Sequence, residues 1–106
     1  MYYILYLQGC PQWLEFGFGE SKRVDKILVQ FQGGFAGKEC VLAVGDNESE
    51  RPENRFLFFP QDSNDVQEFN VDSPLTGSTF RITFPSSTDF YGRIILYHLD
   101  IFTKNS

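Results

Sequence analysis

Residues 24–32 of the chain alternate in twos. Ile27, Val29 and Phe31 fall on one side, Leu28, Gln30 and Gln32 on the other, and Gly33-Gly34 closes the run with a turn. That period belongs to a strand with one buried face; a helix would repeat its apolar residues every three or four positions, and almost nowhere does this sequence do so. Residues 12–18, 39–44, 55–59, 66–71, 78–84 and 92–102 read as strands on the same grounds, which makes seven. The connections are short and polar: residues 45–54 are acidic and rich in turn formers, 60–65 carry Asp, Ser and Asn, and 72–77 hold a Pro and a Gly. Short strands separated by such turns, without helical stretches of roughly 10 to 15 residues, predict an all-β sandwich or barrel rather than a parallel α/β sheet. Residues 2–7 are all apolar or aromatic and offer material for an eighth strand, but they lack the polar face of the others.

No linker, repeat or low-complexity tract divides the 106 residues, so one domain spanning 1–106 with a single core is expected, its first seven residues atypical. Twelve Phe and five Tyr supply that core. A net charge of -5 leaves no basic stripe to neutralise phosphates, so neither nucleic acid nor an anionic membrane is an expected partner. Met1 to Leu7 is far shorter than the roughly 20 residues of a membrane span and lacks the flanks of a signal peptide, which predicts a soluble intracellular protein. Cys10 and Cys40 are too few for a disulfide framework and are expected as free thiols.

Catalysis needs a nucleophile with its base, paired acids or a metal cluster. His98 is the only histidine, and it sits within the apolar run 94–99, where a half-buried, hydrogen-bonded strand residue is the plain reading. Neither cysteine stands at metal-ligand spacing from it. The acidic stretch with Asp46, Glu48 and Glu50 suggests calcium, because hard cations take loop carboxylates, but it lacks the closing Gly and bidentate Glu of an EF-hand and reads as a solvated hairpin tip. Gly33-Gly34 is followed by neither a helix nor a Lys-Ser/Thr pair, so it is no phosphate cradle. The chain is therefore expected to be no enzyme and to carry no cofactor.

Two stretches carry a family likeness: Val29-Gln30-Phe31-Gln32-Gly33-Gly34-Phe35 and Thr88-Asp89-Phe90-Tyr91-Gly92-Arg93-Ile94-Ile95-Leu96-Tyr97-His98-Leu99. With Gln12-Trp13 before a strand and Phe59-Pro60-Gln61-Asp62 before residues 66–71, the chain from Gln8 to Lys104 resembles small proteins associated with orphan nuclear receptors, relatives of discoidin or coagulation-factor C-type domains. The Asp-Phe-Tyr-Gly-Arg opening of a strand is the broader mark of galactose-binding-like sandwiches; the Gln-Phe-Gln-Gly-Gly-Phe turn is the narrower one. The resemblance implies a jelly-roll β-sandwich of the galactose-binding type. It also implies a nuclear or nucleocytoplasmic adaptor that binds an orphan nuclear receptor and represses its transactivation, by blocking receptor dimerisation or DNA engagement.

The chain departs from that family pattern at its front, where Met1 to Leu7 stands in place of the usual first strand and an Asp-rich loop. Either the apolar stretch substitutes for the lost strand or a sheet edge lies open. Read as chemistry, Gly92 admits a bend or a close backbone approach, Arg93 is placed to pair with Asp89, and Trp13 is expected to anchor the core or a sheet face rather than a ligand. The expected partner contacts are Phe35, just past the glycines, and Phe90-Tyr91. A protein-binding adaptor leads; a discoidin-type carbohydrate-binding module is the alternative, and a calcium-dependent assembly subunit the third reading.

Overall fold

A computed structural model describes residues 5–45 and 52–105. Its six strands are β1 (Leu5–Leu7), β2 (Gln12–Phe31), β3 (Cys40–Val44), β4 (Arg55–Phe58), β5 (Val66–Phe84) and β6 (Ile94–Asn105), all paired antiparallel, with a short 3-10 turn, Pro52–Asn54, ahead of β4. Hydrogen bonds join them in the order β1-β6-β2-β5-β3-β4. Among the described residues no helix is long and apolar enough to cross a membrane.

Two expected pairs of strands turn out to be one strand each. Residues 12–18 and 24–32 merge into β2, residues 66–71 and 78–84 into β5, and the expected connection at 72–77 is itself strand. The turn formers at 72–77 interrupt the pairing without ending the strand. Between Gly17↔Thr79 and Lys22↔Gly77, residues 18–21 stand against Ser78 alone; between Val24↔Leu75 and Lys26↔Asn70, residues 71–74 stand against Asp25 alone. Bulges of this kind bend a strand pair and raise its twist. Pro74, which has no N–H to donate, falls inside the second interruption, where no ladder bond is asked of it.

The two bends fold one hydrogen-bonded sheet over on itself. Residues 12–17 and 79–84 with β3 and β4 make the first layer; residues 22–31 and 66–77 with β6 and β1 make the second. Rings meet between the layers: Phe31 lies 6.1 Å from Phe84, edge to face, and Phe58 lies 5.0 Å from Phe69. Ile27, Val29 and Phe31 of the alternating run are buried among Leu42, Phe80, Ile82, Phe84, Ile94, Leu96 and Leu99, with no buried polar or charged residue among those described. Trp13 is not in this core. Residues at 12, 14 and 16 face inward and those at 13, 15 and 17 outward, which leaves Trp13 52% exposed on the outer face of the first layer. The N-terminal run supplies an edge strand, Leu5–Leu7 beside Leu96–Ile94.

Candidate functional site

Four connections, residues 8–11, 32–39, 59–65 and 85–93, are tied together at one end of the sandwich. Phe35 N donates to Gln32 O, closing the expected turn around Gly33-Gly34, where Gly34 has φ +89°. The amide of Gly33 donates to Asn64 Oδ1 and that of Gly34 to Asp62 Oδ1, each at 2.7 Å. Those two donors are thus already satisfied by the neighbouring loop. The segment beyond is joined to residues 86–88: Ala36 and Thr88 exchange bonds through Thr88 N to Ala36 O and Ala36 N to Thr88 Oγ1, and Lys38 N donates to Ser86 O.

Asp89 organises the exposed tip. Gly92 N donates to Asp89 O at 3.0 Å, which makes residues 89–92 a β-turn with Phe90 and Tyr91 at its two central positions. Asp89 Oδ2 also accepts from Tyr91 N, Arg93 N and Arg93 Nε, and Oδ1 accepts from Arg93 Nη2 at 3.0 Å. The Arg93 side chain, foremost through its hydrogen bonds, holds the Asp89 carboxyl down to about 2. Ser87 Oγ donates to Arg93 O and accepts from Asp89 N, which clamps both ends of the turn.

This turn projects two rings. Phe90 is 91% and Tyr91 72% exposed, and they meet edge to face at 5.1 Å. The Arg93 guanidinium lies 5.4 Å from the Tyr91 ring and 5.2 Å from the Phe35 ring, so one cation ties two of the expected contact residues together, and Phe90 joins them through the Tyr91 ring. Phe35 itself is half-buried beneath that cation, with its carbonyl accepting from Ile95 N; it supports the cluster more than it presents a face. Gly92, at φ +76°, allows residues 9 and 10 to approach: a Cβ there would stand 3.1 Å from Cys10 N. Cys10 Sγ donates to Gly92 O.

Other expected residues lie elsewhere. His98 on β6 is half-buried, 3.9 Å from Asp100. Cys10 is an exposed and Cys40 a buried free thiol, and burial pushes Cys40 up to about 12. Trp13 sits on the outer sheet face with Arg81 at 5.3 Å over its ring. Asp46, Glu48 and Glu50 lie outside the described residues, and no group of three or more potential metal ligands occurs among those described. Asp62 and Thr88, which stand in the stretches that carry the family likeness, and Asn64 and Ser87 have no role legible in the sequence. All are ordinary turn formers, and only the fold brings them to the backbone donors they satisfy. With the Asp89 oxygens committed to their own turn, what the site presents to solvent is a rigid aromatic projection.

No family model matches the chain. It is 43% identical to the nuclear receptor 2C2-associated protein of Danio rerio over 95 residues, 89% of this chain and 66% of that one. It is 40% identical to the protein of that name from Xenopus tropicalis and 36% identical to that from Bos taurus, covering 68% of each. The chain thus spans about two thirds of the length of the curated relatives it matches. Among solved structures, the family 32 carbohydrate-binding module of C. perfringens NanJ in complex with galactose superposes with a TM-score of 0.64 at 20% identity, over 91% of this chain and 69% of that one. A chitosan-binding module of a Paenibacillus chitosanase/glucanase gives 0.65 at 16% identity, over 95% and 75%. These likenesses establish the fold, a galactose-binding-like jelly roll.

Proposed function

Because the chain belongs to the family of nuclear receptor 2C2-associated proteins, we propose that it is a non-catalytic adaptor that docks on an orphan nuclear receptor and represses its transactivation. Its place of action is then the nucleus or the nucleocytoplasmic space. One observation carries the docking site: two large rings stand almost fully in solvent on a turn that is itself held by four hydrogen bonds to one carboxylate. Rigid aromatic anchors give contact area at little entropic cost, which is why such residues dominate interface energetics. Blocking receptor dimerisation or DNA engagement is the mode of repression we favour, because a net charge of -5 gives the chain no means of holding DNA itself.

A carbohydrate-binding role is the second reading, favoured by a fold shared with modules solved in complex with galactose or with an unsaturated mannuronic acid. Capture of the purified receptor ligand-binding region, run beside a glycan array, separates the two. Phe90→Ser with Tyr91→Ser is expected to leave stability within about 0.5 kcal/mol, since both side chains are exposed. The same pair should weaken receptor capture by at least about tenfold. Sugar binding without receptor binding would sink the adaptor reading, and capture indifferent to both substitutions would remove this turn from the interface.

A further inference from the structure

The outer face of the first layer carries a second surface, unrelated to the loop end. Register places Trp13 beside Thr83, Thr83 beside Val41 and Val41 beside Leu57, so a row with three apolar members and one threonine crosses β2, β5, β3 and β4 in one line. Trp13 is 52% and Leu57 44% exposed, and Phe59, just past β4, is 64% exposed. The next outward row runs Glu15, Arg81, Ala43, Arg55, with Glu15 bonded to Arg81 and Arg55 exposed. Single exposed apolar residues are ordinary, whereas Trp13 and Leu57 stand at the two edges of one face.

We propose that this face pairs with a second copy of the chain. The ends of the two rows are complementary to each other under one symmetry operation. A two-fold axis lying in the face and parallel to the strands exchanges β2 with β4 and β5 with β3. It sets Trp13 of one copy against Leu57 of the other and Thr83 against Val41, twice over, as an isologous contact requires. In the second row it sets Glu15 against Arg55, opposite charges at both ends; between them Arg81 lies over the buried Ala43 position. The outer face of the second layer fails the same test. There Leu28 lies between Glu68 and Asp100, which the axis would bring together as like charges, and Lys26 on the central strand would meet Lys26 of its copy. Only the first layer is matched to itself.

Four strands about 4.8 Å apart and about five residues of each give a face of about 20 by 17 Å. That is less than the roughly 800 Å² each partner contributes to a standard interface, so the pair is weak and concentration-dependent. Trp13 is the chain's single tryptophan, which makes it the reporter. Sedimentation of the full chain from about 10 μM to about 1 mM should show the mass rising toward twice the monomer's, and Trp13 emission should move to shorter wavelength over the same range. Arg55→Glu should weaken association by about tenfold while Arg55→Lys keeps it within about threefold. Phe90→Ser should change nothing, which separates this contact from receptor docking. Circular dichroism of each variant checks the fold. A monomer throughout, or association that leaves Trp13 emission and the Arg55→Glu variant unaffected, overturns the proposal; so does a blue shift that needs added oligosaccharide.

Discussion

Asp89 commits both carboxylate oxygens to its own turn, and this has a measurable acid signature. In the unfolded chain its carboxyl returns to an ordinary value near 3.8, whereas in the fold Arg93 holds it near 2. Between those values the unfolded state binds a proton that the folded state refuses. The stability due to the pair is therefore complete above about pH 4 and is lost as pH falls through about 2. Asp89→Asn is expected to be less stable than the parent at neutral pH, with the gap closing in acid, as urea melts at about pH 7 and about pH 2.5 would show. A gap that stays constant or widens in acid would reject the account. The Asp89-Arg93 spacing was visible in the sequence, and so was the aromatic character of Phe90 and Tyr91. What was not visible was that Phe35 lies beneath Arg93 instead of beside the other rings in solvent, because the cation-π contact forms only when residues 32–39 and 85–93 are brought together.

At the scale of elements, two-residue alternation located the strands and misjudged their continuity. Gly, Ser and Pro near residues 19–21 and 72–77 signal a break in regular pairing, and a bulge meets that signal as well as a loop does. The choice belongs to the partner strand, which resumes pairing beyond each interruption in a shifted register. Pairing also ranks the strands by protection. Residues 26–30 of β2 are bonded to β5 on one side and β6 on the other, whereas β1 is a three-residue strand on the sheet's edge. Hydrogen exchange should be slowest in that part of β2 and fastest in β1 and β4. Equal protection across β1 and central β2 would contradict this order.

For the whole molecule, the contact between layers decides stability. Phe31 comes from one end of β2 and Phe84 from the end of β5; they sit edge to face with no exposed surface on either ring. Phe84→Ala should cost about 3–5 kcal/mol in chemical denaturation, because it opens a cavity where the two layers meet. A cost no larger than about 1 kcal/mol would mean that the layers close by other contacts. The two outer faces differ in a way that composition alone never shows: one carries Trp13 and Leu57 at its edges beside Glu15, Arg81 and Arg55, the other Lys26, Glu68 and Asp100 around Leu28. By itself the sequence determined the all-β class, the buried face of the alternating run and the turn at Gly33-Gly34, since all of these depend on local period and residue type. Tertiary structure decided the rest: the bending of one sheet into two layers, the outward position of Trp13, and the clamp of Asp62, Asn64, Ser87 and Thr88 around the loop end. Each depends on residues distant in sequence meeting at hydrogen-bond or van der Waals range, which no local pattern encodes.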